Sequence, residues 1–551
     1  MSSLAQIIGY RTIGWILALV TTVLVVANQQ EVGIARDEMV YMQSGSHYAK
    51  WWRSPSFSTE SITKTWGGPN PTDNNREHPP LIKTLAGFSK WILSDGLGVD
   101  ELTAYRFPSA VLHGVLVLLV FLMVLELWGL AEAVMSALLV MLLPRALFHA
   151  GLACFDAPIM ALWFATVYAY WKALDGRRWP WQVGVVFGLA LATKHNALLL
   201  PIALGLHYLV VGIRARGAAF LAYRWRVIVS MLILAPLTFV ALWPWLWFDT
   251  VAHVRDWLTF HLTHVHYNFE YLGENWNAPP FPWHVALVTT LFTVPVATLV
   301  ASALGGCVWF ARRSGLFRAD DKPDPRRPGL LLLLSAAASI GPFFLGSTPI
   351  FGAEKHWMPA LPSLCIAAGV GAVWAARALA AAMPGGHAIR RSVVAISCTA
   401  VVLAALVETI TAQPYALTWY NAAAGEAPGG ADRGMNRQFW GVAARGVLPI
   451  LKAAAGKQKT PVYTHDAAPA WGTYIRRGEL PPTMPDAGHE EAGINNSQFA
   501  LVIHEKHFNR HDYLVWKSYG TTQPMFVLRS HGVPIVTLYK RPKPRPPAAK
   551  P

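Results

Sequence analysis

Asp37 and Glu38 follow closely on the first apolar stretch of the chain, and further on, across a polar segment, comes His78-Pro79-Pro80-Leu81. An acidic dipeptide is ordinarily a solvated turn. At the edge of a bilayer its meaning changes: carboxylates are costly against hydrocarbon, and a partly desolvated one can take a proton from an attacking hydroxyl or amine, the work of a general base. A second carboxylate, Asp156, stands in Phe155-Asp156-Ala157-Pro158 at the start of another apolar stretch, where it could act on a substrate or simply cap a helix. Arg106 in Tyr105-Arg106-Phe107-Pro108, then Lys194-His195-Asn196, then Lys355-His356, interrupt apolar sequence at helix ends. Guanidinium and ammonium groups suit phosphate oxygens, although each alone reads equally well as a snorkelling anchor. Their convergence is the signal, since carboxylates and cations from separate helices fall at one membrane level.

Holding such groups requires a helical frame, and the composition supplies one. Of 551 residues 54% are hydrophobic and only 14% charged, with a mean hydropathy of +0.33, more apolar than a soluble core needs. The chain reads as an α-helical polytopic membrane protein of about eleven transmembrane helices. These are expected near 12–28, 104–128, 132–148, 155–174, 181–195, 197–213, 227–247, 285–310, 330–346, 357–382 and 393–412, with Lys194-His195-Asn196 dividing the long stretch 181–213. Positive residues set orientation. Lys172, Arg177 and Arg178, then Arg214, Arg216, Arg224 and Arg226, then Arg312, Arg313, Arg318, Lys322, Arg326 and Arg327, then Arg390 and Arg391 mark the cytoplasmic loops. The loop 29–103 with the acidic motif, and everything after Gln413, then faces outward. The net charge of +15 belongs to this topology, and no nucleic-acid-binding motif accompanies it.

A membrane domain over 1–412 gives way to polar, Gly- and Pro-rich sequence with short β-like runs, read as an extracytoplasmic α/β domain over 413–540, and a basic proline-rich tail, 541–551. Cys154, Cys307, Cys365 and Cys398 lack paired spacing, which argues against disulfide and Cys-zinc chemistry. His261, His264 and His266 have a spacing that resembles a metal site, but no His-Glu-x-x-His motif accompanies it, so a divalent metal is a weak expectation.

Taken together, Asp37-Glu38, His78-Pro79-Pro80-Leu81, Arg106-Phe107-Pro108, Phe155-Asp156-Ala157-Pro158, Ala192-Thr193-Lys194-His195 and His356-Trp357-Met358-Pro359 resemble the membrane-embedded glycosyltransferases of the C-type (GT-C) fold. The group is that of the protein O-mannosyltransferases, the aminoarabinose transferases and their bacterial relatives. The resemblance implies a polyprenyl-phosphate-linked sugar donor and a protein, lipid or glycan acceptor on the outer face of a membrane, the inner membrane if the source is bacterial. It implies Asp37 as base, Glu38 as its positioning partner and Asp156 as a further acidic residue. Arg106, Lys194, His195, Lys355 and His356 would hold the phosphate, and His78 would position substrate. Phosphate leaves without needing a proton, so one base and in-line displacement imply inversion.

His78 stands where aminoarabinose transferases carry lysine, and so sides with the mannosyltransferases. The loop 249–283 is too short for the carbohydrate-binding domain of the eukaryotic mannosyltransferases. A polytopic lipid or sugar transporter or flippase would also bury charges in a helix bundle, but it calls for them near the midplane rather than at one face.

Overall fold

The computed structural model describes residues 2–68, 73–175, 180–214, 218–313, 324–488, 490–505 and 509–542. Arg177, Arg178, Arg216, Arg318, Lys322 and most of the basic tail therefore lie outside the described residues. Two compact units emerge, the first Met1–Gln30, Val40–His266 and Ala278–Gln413, the second Glu31–Met39, Tyr267–Asn277 and Pro414–Pro551.

In chain order the first unit contains α1 (Ser2–Asn28), then α2 (Arg36–Arg53), whose first turn counts with the second unit. After them come α3 (Thr59–Trp66), α4 (Leu81–Ser89), α5 (Glu101–Leu127), α6 (Leu130–Met141), α7 (Pro144–Ala150), α8 (Asp156–Ala173) and α9 (Trp181–Leu191). The unit closes with α10 (Leu200–Arg214), α11 (Ala218–Leu242), α12 (Thr250–Leu262), α13 (Val285–Thr293), α14 (Val296–Arg313), α15 (Pro328–Ile340), α16 (Leu361–Ala382) and α17 (His387–Ala412). The chain is an integral membrane protein, and its outer helices show why. Leu232 of α11 is 70% exposed and Val407 of α17 60% exposed, an arrangement that needs lipid rather than water as solvent. Inside, Trp163, Trp171, Trp243 and Trp357 are fully buried.

The expected count of about eleven spans is not reached by length and apolarity. Six helices qualify among the described residues, or up to eight if each bent pair is one span. At about 1.5 Å per residue, the eleven residues of α9 cover only about half of a ~30 Å hydrocarbon layer. The expected 132–148 span bends by 66° between α6 and α7, where Pro144 cannot continue a hydrogen-bond ladder, and the expected 285–310 span bends by 118° between α13 and α14, at Pro295.

Two close approaches fix the packing around the His78 segment. A Cβ on Gly87 of α4 would lie 2.0 Å from the Gly45 carbonyl of α2, so only glycine lets these helices touch backbone to backbone. The Leu81 amide donates to the Ala192 carbonyl at 2.9 Å, tying the His78 segment to the turn after α9.

The second unit has its own core. A hairpin of β1 (Phe269–Tyr271) and β2 (Glu274–Trp276) is followed by α18 (Glu426–Asp432), α19 (Leu448–Ala454), β3 (Val462–Tyr463), α20 (Ala468–Arg476), α21 (Glu491–Asn496), β4 (Phe499–Ile503), α22 (Asn509–Tyr519), β5 (Phe526–Ser530) and β6 (Val533–Lys540). The four-stranded sheet runs β3-β4-β6-β5. β3 and β4 are parallel and the other pairs antiparallel, so α20 and α21 provide the crossover that parallel neighbours require. β4 is buried along its whole length and reads accordingly as the apolar run Phe-Ala-Leu-Val-Ile.

Candidate active site

In the first unit, most of the site residues expected from the sequence converge on one buried network. Asp156 begins α8 without serving as a side-chain cap. Its carboxylate accepts from Lys194 Nζ at 2.7 Å, and His149 Nδ1 lies 3.9 Å away. His149 Nε2 is 3.8 Å from Glu354, whose other oxygen accepts from Arg145 Nη1 at 2.8 Å. Lys194 also reaches the Lys355 carbonyl at 3.4 Å, while the Lys355 ammonium stands 4.8 Å over the Phe351 ring. Arg145, Lys194 and Lys355 are buried against two buried carboxylates, Asp156 and Glu354. Burial alone would raise the Glu354 carboxyl; Arg145 and His149 overcome it and hold it below its usual range. Arg145, His149 and Glu354 were not singled out from sequence. The available signal was Arg145 and His149 four apart in apolar surroundings, hence on one helix face.

The imidazoles form a second layer. His195 stacks on His261 at 3.9 Å, and His78 lies 5.7 Å from His261 and 5.2 Å from Phe155. Burial, with Lys194 and Lys355 nearby, keeps His356 well below the usual imidazole value, and burial lowers His261 to about 4. That direction disfavours a cation at His356, whose Nε2 donates to the Phe351 carbonyl at 2.7 Å. His261, His264 and His266 turn to different neighbours, namely His195, Phe351 and Phe281. Among the described residues no group of three or more His, Cys, Asp or Glu side chains is arranged to hold a metal.

Lys83 is another residue that the sequence hid in an amphipathic segment. Fully buried, it donates to the Asn75 carbonyl, the Asn75 side chain and the His78 carbonyl at 2.6, 2.9 and 2.8 Å, and so shapes the turn that carries His78. Burial pushes its ammonium down to about 7 although Glu77 opposes this. Arg106 is equally buried, within α5, and donates to the Gln29 carbonyl at 3.1 Å.

An apolar cavity of about 400 Å³ runs among α14, α15 and α16, lined by Thr290, Trp357, Leu361, Leu332, Trp309 and Trp128. Trp357 follows His356 directly and donates to Thr290 at 2.9 Å, so one end of this apolar space adjoins the charged network.

Asp37 and Glu38 belong to the second unit. Glu38, at the third position of α2, accepts from the Ala35 amide at 2.9 Å, half of a capping box. Asp37 keeps 30% of its side-chain surface exposed. One oxygen accepts from Trp440 Nε1 at 2.8 Å and the other from Arg36 Nε at 3.3 Å. Arg36 continues to Asp466 at 2.8 Å; burial opposes the guanidinium's charge, but Asp466 and Asp37 raise it above its ordinary value. Behind lies Glu505, pushed well up by burial and then by Asp466 and Glu270.

This architecture matches solved structures. The chain aligns over 98% of its length with 98% of ArnT from Cupriavidus metallidurans in the apo state, at 14% identity and a TM-score of 0.50. The fold is that of the GT-C membrane glycosyltransferases. Residues 77–243 match the family model described as dolichyl-phosphate-mannose-protein mannosyltransferase, a span that includes His78, Arg106, Asp156, Lys194 and His195. The same ArnT bound to undecaprenyl phosphate aligns at 15% identity over 95% of this chain and 97% of that one, with a TM-score of 0.47. The archaeal oligosaccharyltransferase AglB from Archaeoglobus fulgidus, in complex with an inhibitory peptide and a dolichol-phosphate, aligns at 10% identity over 92% of this chain and 71% of its own, with a TM-score of 0.46. No curated protein matches by sequence.

Proposed function

We propose that this GT-C chain transfers a sugar from a polyprenyl-phosphate carrier to an acceptor on the extracytoplasmic face, with inversion at the anomeric carbon. The observation that carries this reading is a cluster of buried cations beside apolar space. Arg145 pairs with Glu354 and Lys194 with Asp156, Lys355 is buried in the same network, and the adjoining cavity is apolar. A phosphate bearing a polyprenyl chain suits both features, because clustered cations attract its charge and its tail needs no hydrogen bonds.

In this mechanism the acceptor's O–H or N–H proton passes to Asp37, and the acceptor heteroatom bonds to the anomeric carbon. The bond from that carbon to the phosphate oxygen breaks, and polyprenyl phosphate leaves with the electron pair. Lys194 and Lys355 stabilise the developing phosphate charge, Arg106 adds to the donor clamp, and the neutral imidazoles of His78, His195 and His356 order sugar hydroxyls. Glu38 holds the helix end that presents Asp37.

Purified protein incubated with candidate polyprenyl-phosphate sugars should release polyprenyl phosphate and a modified product, both read by mass spectrometry, with the product's anomeric configuration inverted. Flux of lipid-linked sugar across proteoliposomes without release would sink the reading in favour of a flippase. A reporter fused after Gln413 should be active only outside the cytoplasm, and a cytoplasmic signal there would overturn the assigned face.

A further inference from the structure

Trp440 is held in a conformation that tryptophan avoids. Its φ is +70, and Gly441 follows at +72, where an added Cβ would come within 3.0 Å of the Asp466 carbonyl. His465, beside Asp466, is also left-handed at +52. Non-glycine residues in this region are strained and persist where surrounding structure over-determines them. Both strained residues flank groups that lead to Asp37. The turn at Trp440 delivers an indole N–H to one Asp37 oxygen and its carbonyl to the Arg36 amide at 3.0 Å. The turn at His465 delivers Asp466 to Arg36, whose Nε meets the other Asp37 oxygen. Each carboxylate oxygen can accept more than one hydrogen bond, so Asp37 is fixed in orientation while its exposed side retains the capacity to take a proton.

We infer that Trp440, with Asp466 acting through Arg36, is a positioning residue for the Asp37 carboxylate. The inference rests on Asp37 being the base. Packing alone does not account for the arrangement, because an indole that needed only a hydrogen-bond acceptor could find a carbonyl without a strained backbone.

The experiment is a double-mutant cycle on purified full-length protein. Asp37→Asn tests the base itself: full activity in this variant ends the functional reading and the inference with it. If Asp37→Asn is impaired, Trp440→Phe should lower turnover about 10- to 100-fold, the loss of one charge-assisted hydrogen bond, with Michaelis constants for donor and acceptor unchanged. Trp440→Gln, which restores an N–H donor, should recover part of the loss. Asp466→Asn, which leaves the indole in place, should cost several-fold. In the Asp37→Asn background neither substitution should lower the residual rate further. Wild-type turnover in both Trp440→Phe and Asp466→Asn overturns the inference. So does a loss of equal size in the parent and Asp37→Asn backgrounds, which would mark Trp440 as merely structural.

Discussion

Asp156 and Asp37 are both carboxylates in the first turn of a helix, and the protein treats them in opposite ways. Asp156, with 6% of its side chain exposed, is closed in an ion pair with Lys194 and linked through His149 to a second pair. Asp37 keeps 30% of its surface and is held at its edges by an indole and a guanidinium. A carboxylate locked against an ammonium in low dielectric has little capacity left for a substrate proton. One held by its edges and open to solvent can accept one. Two residues grouped together by sequence as acidic site residues thus sit in different surroundings, and the proposed mechanism casts only Asp37 as the base.

The largest effect that could break this division is at Asp37. Asp37→Asn keeps the shape and removes the proton acceptor, so turnover should fall about 10²–10⁴-fold with donor affinity near normal; parental activity in a folded Asp37→Asn protein would dismiss it as the base. For Asp156→Asn the loss should appear mainly in folding, because breaking a buried ion pair by removing one partner costs about 3–5 kcal/mol. Thermal unfolding in detergent should drop sharply while turnover per folded molecule falls far less than in Asp37→Asn. The reverse pattern, a stable but inactive Asp156→Asn, would make Asp156 the better candidate base.

A smaller effect sharpens the comparison on the cationic side. Lys194→Ala and Arg106→Ala should each weaken donor binding if they share the phosphate, by roughly 1.5–3 kcal/mol for a charge-assisted contact. Lys194 reaches the Lys355 carbonyl, and Asn196, two residues on, the His356 carbonyl, whereas Arg106 donates to the Gln29 carbonyl just past α1. Titrating each variant with polyprenyl phosphate separates the two. Loss at Lys194 alone would confine the clamp to the network around Asp156, and loss at neither would return both residues to anchoring helices.

Much of this frame was legible in the chain because composition and apolar stretch length are local properties. They disclosed the helical membrane class, and the interruptions at Lys194 and Lys355 disclosed polar groups worth watching. The number of spans was less legible, since apolarity does not report the bend at Pro144 or the shortness of α9. Partners were less legible than places. The indole on Asp37 lies 403 residues away in sequence and Asp466 430 residues from Arg36, distances at which no periodicity carries information. Lys83 was missed for a related reason: a lysine in an amphipathic segment normally snorkels, and only the turn at Asn75–His78 supplies the acceptors that let it be buried.

The smallest expected effect is a matter of sign, and it sets two buried glutamates against each other, one from each unit. Glu354 has a folded pKa below its unfolded value, because Arg145 and His149 outweigh burial. Its contribution to stability is therefore present above the ordinary glutamate range and is lost as pH falls through that range toward the folded value. Glu505 is displaced upward by burial, then by Asp466 and Glu270, with Arg36 only partly compensating. In the folded protein it binds its proton more tightly than in the unfolded chain, so its contribution is complete in acid and is lost as pH rises from the ordinary range toward the folded value. Glu505→Gln should therefore flatten the decline of stability on the alkaline side of the ordinary range, with little change in acid. Glu354→Gln should destabilise at neutral pH by removing the carboxylate that pairs with Arg145, and should remove the decline on the acid side. Unfolding temperatures measured across this pH range for parent and both variants give the slopes directly. Parallel curves for parent and Glu505→Gln would mean that the carboxyl is ionised in the folded state at no cost, and that the acidic surroundings of Arg36 are neutralised in some other way.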